Sequence, residues 1–201
     1  MYKLDKTWIM CTIYQKGDGQ KEMIEYIEKA IDLTRNYNQF KSRNDLICDI
    51  IDVLDVTEDI AEDTAAAICK VVTFWIEAYS KELIDIDFPE FYKKCIDKKY
   101  VVKDKHGFYT YLALTLEQLA DKFDIQIYKI KTFPELQSYC RNEEFLGTVR
   151  IEKNNNMHSM ICYRNAAGKL RISDTGRRGI DVNLFDFVNE KNFKYCTVME
   201  V

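Results

Sequence analysis

Residues 145–175, "FLGTVRIEKNNNMHSMICYRNAAGKLRISDT", hold three runs of alternating apolar and polar side chains separated by two turn clusters, "NNN" and "NAAG". A period of two with Asn- and Gly-bearing turns predicts strands that pair antiparallel with their immediate neighbours. A sheet built this way has an apolar face, and that face must be covered by another layer. The segment after it, "NLFDFVNEK", predicts a short helix, and "KYCTVMEV" predicts a last strand.

The covering layer is legible upstream. Residues 21–37 place Met23, Ile24, Ile27, Ala30, Ile31 and Thr34 at helical spacing. A second helix follows Asn44, whose side chain is a suitable N-cap, and covers "DLICDIIDVL". Helix is predicted again from Thr57 to Tyr79. Its second half, "AAAICKVVTFWI", is apolar enough to be the buried central helix. Shorter helices are expected over 88–100, with Pro89 in the opening turn, over 115–123 and over 133–140. Residues 7–14, "TWIMCTIY", are rich in β-branched and aromatic residues before "KGDG" and read as a strand ending in a turn. The class is α+β, with N-terminal helices packed on a C-terminal antiparallel sheet. A chain of 201 residues suits a single domain.

Composition narrows the function. A formal charge of −4 offers no basic face for nucleic acid. The longest apolar stretch is about a dozen residues, interrupted by Lys70, where a membrane span needs about 20. The start, "MYKLDKTWIM", has no signal-peptide pattern. The seven cysteines, at 11, 48, 69, 95, 140, 162 and 196, show neither CxxC nor zinc-type spacing. The expectation is a cytoplasmic protein of a reducing compartment, without metal or cofactor, that meets neither nucleic acid nor membrane.

Two residues of the meander carry chemistry. His158 shares a strand face with Met160 and Cys162, and Asp174 shares one with Leu170 and Ile172. A turn centred on Ala166 sets Tyr163 opposite Lys169 and His158 opposite Asp174, with Cβ atoms about 4.5–5.5 Å apart. A carboxylate at that distance fixes the tautomer of a histidine acting as general base. A register change of one residue would send the two side chains to opposite faces. Without a partner nucleophile, the pair reads as a satisfied strand histidine beside a turn-capping aspartate.

The order "TLEQLADKF", "FPELQSYC", the 145–175 meander, "VNLFDFV" and a final strand resembles papain-like cysteine peptidases of the bacteriocin-processing type, over roughly residues 63–201. The resemblance implies a papain-like core over 63–201 and leaves 1–62 as an N-terminal strand and helical extension. It implies that His158 is the catalytic histidine, Asp174 its orienting acid, and the substrate a peptide or protein. It also requires a cysteine near the N-terminus of the central helix, where a helix dipole and an imidazolium lower the thiol pKa. Cys69 is the sole cysteine of the 63–80 helix, although "EDTAAAIC" puts Thr64 where that family has its cysteine. Shortly upstream, where the family has an oxyanion-hole glutamine, stand Glu62 and Asp63.

Cys48, in the first turn after Asn44 with Gln39 nine residues before it, has the better local setting and the worse spacing. Cys11 falls mid-strand, and Cys95, Cys140, Cys162 and Cys196 fall where the family has no nucleophile. A cysteine on an apolar helix face is by default core filling. Arg177 and Arg178 read as solvated loop residues, and His106 as part of a turn. Two readings therefore stand: a thiol hydrolase using Cys69, His158 and Asp174, or an inactive papain-like protein, Thr64 marking a lost nucleophile, that binds a peptide or protein partner. A sulfur beside His158 separates them. The oligomeric state leaves no trace in the sequence.

Overall fold

The structure, a computed structural model, describes residues 6–39, 44–142, 145–165, 167–176 and 179–201, with the backbone alone for 6–20 and 142. Helices α1 (Lys6–Asn36), α2 (Asp45–Leu54), α3 (Glu58–Ala67), α4 (Cys69–Ser80) and α5 (Phe88–Asp97) come first. A two-stranded hairpin follows, β1 (Val101–Lys103) with β2 (Tyr109–Leu112), and then α6 (Leu116–Asp121), β3 (Ile127–Ile130) and α7 (Phe133–Asn142). The chain closes with β4 (Leu146–Lys153), β5 (Asn156–Arg164), β6 (Leu170–Ser173), β7 (Val182–Asn183), a 3₁₀ turn at Leu184–Asp186 and β8 (Phe193–Met199). Strands β3-β8-β4-β5-β6-β7, in that order, form one antiparallel sheet. The expected α+β architecture, helices packed on an antiparallel sheet, is what the chain adopts. No helix of the described residues is long and apolar enough to cross a membrane.

Local chemistry explains most element boundaries. Asn44 caps α2 by accepting from the Ile47 N–H at 3.0 Å, and Thr115 with Gln118 forms a capping box at α6. Pro89 lies in the first turn of α5, where its missing N–H costs nothing. Asn154 and Asn155 turn between β4 and β5 with φ of 53° and 62°, a left-handed pair that asparagine tolerates better than other side-chain-bearing residues. This two-residue turn sets Lys153 opposite Asn156 and carries the register unbroken to Leu146 opposite Tyr163.

The sheet is covered on both faces. One core joins Ile27 and Ala30 of α1, Leu46 and Ile50 of α2, Val72, Phe74 and Trp75 of α4 and Phe88 of α5 to Leu146, Ile161 and Tyr163 of the sheet. The other packs Leu136 and Cys140 of α7 on Val149, Ile151, Met160, Cys162, Ile172 and Cys196. Helix α4 is buried at nearly every position, as expected of the central helix. It is also fastened to the sheet by polar groups. Glu77, fully buried, accepts from the Thr148 hydroxyl of β4 at 2.9 Å and from the Met199 N–H of β8 at 2.7 Å. Lys81 lies 3.4 Å from the same carboxylate and donates to the Met199 carbonyl.

Three expectations are corrected. Residues 7–14 are not a strand; they belong to α1, which runs unbroken to Asn36. Extending an existing helix adds a backbone hydrogen bond per residue without a new nucleus, whereas a lone strand needs a neighbour to satisfy its backbone. The helix expected from Thr57 to Tyr79 is two helices that break at Ile68, at φ −95° and ψ 20°. Strands β5 and β6 pair Ile161 with Ser173 and Cys162 with Ile172, two residues away from the expected register. Ala166, the expected turn centre, lies outside the described residues.

Removing the Glu77 carboxylate leaves the Lys81 charge buried without its partner. Glu77→Ala is expected to cost about 3–5 kcal/mol, read from urea unfolding curves, with a smaller loss for Glu77→Gln.

Candidate active site

The break at Ile68 decides where the cysteine stands. Ile68 has no side-chain acceptor to cap the helix that follows, and Cys69 becomes the first residue of α4, with Val71 and Val72 amides bonded to the Ile68 carbonyl. Cys69 thus occupies the N-terminal end of the central helix, where the aligned peptide dipoles favour a thiolate. In the sequence it appeared to lie a turn and a half inside a longer helix.

Helix α4 brings that end against β5. Cys69 and His158 line one cavity and shift each other's pKa through hydrogen bonding and charge, and the Ser159 backbone N–H also favours the Cys69 thiolate. On its other side His158 is held by Asp174, with Nε2–H donating to Oδ1 at 2.6 Å. Nε2 being engaged, Nδ1 is the nitrogen left for the thiol. The two-residue register shift explains why the pair survived an inexact expectation: a shift of two keeps every side chain on its face. His158 and Asp174 meet diagonally across β5 and β6 rather than head-on. Asp174 is fully buried, and its Oδ1 also accepts from the Gly176 N–H at 2.8 Å.

The charges of the three groups support one another. Burial pushes the Cys69 thiol up, but the His158 hydrogen bond and charge, the Ser159 N–H and the Arg150 guanidinium outweigh it, and the thiol pKa falls below its ordinary value. Burial pulls His158 down, but Asp174 and Cys69 more than reverse this and raise it to about 9. Both shifts favour the thiolate–imidazolium form of the pair over the neutral one. The two titrate as a coupled pair.

The remaining cysteines do not compete. Cys95 and Cys140 are buried, and burial raises each to about 12; Cys162, also buried, goes well above the ordinary thiol value. Cys162 and Cys196 face each other in the second core at 3.5 Å. Cys48 is exposed on α2, and the backbone of Cys11 is in α1. Thr64 donates to the Ile60 carbonyl inside α3 and takes no part in the His158 environment. His106 sits in the β1–β2 turn, its N–H bonded to Asp104. Arg177 and Arg178 lie outside the described residues.

One residue was read against the wrong cysteine. Gln39 lines the same cavity as Cys69, His158 and Gly176, a space of about 750 Å³. It is 4% exposed, and among the described residues its Nε2 finds no hydrogen-bond partner. Its backbone N–H donates to the Thr175 carbonyl at 2.6 Å, tying it to the loop that carries Asp174. Two residues earlier Tyr37 anchors the segment, its ring 4.8 Å from that of Trp75 and its hydroxyl bonded to Asp49. A buried amide nitrogen without a hydrogen-bond partner is costly. Among the described residues no group of three or more His, Cys, Asp and Glu side chains is arranged to hold a metal.

Gly176 keeps the pair tight. A Cβ there would meet both Asp174 carboxylate oxygens at 3.1 and 3.2 Å and His158 Cε1 at 3.2 Å. Gly176→Ala is expected to push imidazole and carboxylate apart. The alkylation rate of Cys69 by iodoacetamide should then fall roughly ten- to a hundredfold, measured by mass spectrometry on a protein that stays folded.

No protein-family model matches the chain, and no curated protein does. Among solved structures, the chain is similar to the peptidase domain of Streptococcus ComA, a bifunctional ABC transporter involved in a quorum-sensing pathway. The two share 14% identity over 67% of this chain and 91% of that one, with a TM-score of 0.46.

Proposed function

We propose that the chain is a papain-like thiol hydrolase acting on peptide or protein substrates, with Cys69 as nucleophile, His158 as acid and base, and Asp174 as the residue that orients His158. The observation that carries this reading is the continuous chain Cys69–His158–Asp174, which lowers the thiol pKa and lifts the imidazole to about 9. Structural cysteines in apolar surroundings shift the other way, as Cys95 and Cys140 do.

In this mechanism the Cys69 thiolate adds to a substrate carbonyl carbon. The carbonyl oxygen takes the electron pair and becomes an oxyanion. Gln39 is the side chain suited to it, because it lines the cavity beside the sulfur and, among the described residues, its Nε2 has no other partner. The uncapped first turn of α4 adds the positive end of a helix dipole. The intermediate collapses, the His158 imidazolium gives its proton to the departing amine, and a thioester remains on Cys69. Water then attacks the thioester, His158 taking its proton, and the acid product leaves as the thiolate re-forms. Neither a metal nor a cofactor enters the scheme. What supports this reading over a binding module without a nucleophile is that Cys69, rather than Thr64, lines the cavity with His158.

The pH dependence follows from the two shifts. Thiolate accumulates as pH rises through the lowered Cys69 value, and imidazolium is lost as pH rises through about 9. Hydrolysis of a quenched fluorescent peptide should rise with the first and fall with the second. Alkylation of Cys69, which needs no proton donor, should rise and stay high. His158→Ala should abolish both the low-pH thiolate and hydrolysis.

Gln39→Ala is expected to lower kcat by about 10²–10³-fold while leaving iodoacetamide alkylation within a few-fold, because alkylation builds no oxyanion. Slow labelling of Cys69, no faster than that of exposed Cys48 and indifferent to His158→Ala, would sink the hydrolase reading.

A further inference from the structure

The thiol opens on two cavities, not one. A second space of about 490 Å³ shares Cys69, Ala67 and Met157 with the first and extends away from Gln39, between the β1–β2 hairpin, α6 and the strands β4 and β8. Its lining is cationic. Lys70, Lys129 and Arg150 face one carboxylate, Glu117, and that carboxylate is already engaged by Lys129 at 2.5 Å. Lys70 reaches only the Leu114 carbonyl, at 3.5 Å, and Arg150 donates to the Ser159 hydroxyl at 2.7 Å. Among the described residues neither has a carboxylate partner. Both are half-buried, and the opposite charges within their reach are Glu117, already paired with Lys129, and the Cys69 thiolate. Burial, followed by repulsion from Arg150, brings Lys70 down to about 8, the direction expected of a cation short of an anion. The first cavity differs: its cation, Lys153, stands exposed, and the rest of its lining is uncharged apart from the Cys69–His158 pair.

We propose that the second cavity selects substrates carrying a carboxylate beside the scissile bond, seated between Lys70 and Arg150, from either an acidic side chain or a chain terminus. This rests on the hydrolase reading above and adds its substrate class. An acidic group there would supply a carboxylate partner to two cations whose neighbouring carboxylate, Glu117, is already taken by Lys129, and its loss should be felt in kcat/KM. The same cations would repel a lysine or arginine at that position, which gives discrimination by repulsion as well as by attraction.

The test needs no substrate at first. Cys69 of the native protein is alkylated near pH 7 with anionic iodoacetate and, separately, with neutral iodoacetamide. The ratio of the two rates is compared with that of a cysteine-containing model peptide. Taking the ratio cancels the reactivity of the thiol itself. The expected ratio is about tenfold or more above the model thiol, falling back several-fold in Lys70→Gln and Arg150→Gln and retained in Lys70→Arg. A ratio equal to the model thiol's overturns the proposal. So does a high ratio untouched by either substitution, since the His158 imidazolium would then be its cause. If Cys69 reacts slowly with both reagents, the hydrolase reading fails and the selection proposal falls with it, an outcome distinct from the other two.

Quenched peptides then identify the source of the carboxylate. One series carries Asp or Glu on either side of the cleaved bond with an amidated end; another is neutral with a free terminal carboxylate. Preference for the first, lost in Lys70→Gln, assigns an acidic side chain, and preference for the second assigns a terminus. Equal cleavage of a neutral amidated peptide overturns the selection while leaving the hydrolase reading intact.

Discussion

The buried carboxylate of Glu77 is the constraint on which the rest of the molecule turns. It bonds β4 through Thr148, β8 through Met199 and, one turn along its own helix, Lys81. An ion pair in such a place is a poor source of stability compared with apolar packing. What it supplies here is position: apolar side chains let a helix slide or rotate on a sheet at modest cost, whereas these partners fit one placement of α4. With the far half of α4 held, its first residue is carried to β5, where His158 and the Ser159 amide wait. The geometry of the thiol is thus set about two helical turns away from the thiol.

Much of this was legible in the sequence, and the reasons are local. The turn asparagines, the capping residue Asn44, Pro89 and the alternation of 145–175 each act over a few residues, and each produced the element it implied. The His158–Asp174 pair was legible because strand faces repeat every two residues, which made the conclusion immune to the two-residue error in register. Ile68 was illegible for the opposite reason. "AAAICKVV" contains no glycine, proline or capping side chain, so nothing around Ile68 announces a break. The break is imposed by what α3 and α4 pack against, and propensity is a weak prior against tertiary contact. Residues 7–14 illustrate the same weakness in reverse, with β-branched residues absorbed into a helix.

Gln39 marks the boundary of what spacing can reveal. Its amide lines the cavity of a cysteine far downstream, while the nearer cysteine, Cys48, points to solvent from α2. The signal that finds Gln39 is physical rather than positional: a nearly buried amide whose donors are unsatisfied. The anchoring of Tyr37 on Trp75, and of the Gln39 amide on Thr175, shows that the N-terminal helices share the core and the site of the rest of the chain.

The site is assembled from segments around residues 39, 69, 158 and 174, and this spread has a consequence for the life of the chain. A growing polypeptide that has delivered Cys69 but not yet His158 carries an ordinary thiol on an unanchored helix. Only when β5 and β6 have joined the sheet does the sulfur gain the neighbours that ionise it. If Cys69 is the nucleophile proposed above, its reactivity is withheld until the segment carrying Asp174 has been made, and any opening of β5 and β6 takes it away again. Latency, in this protein, is a property of topology and needs no inhibitor.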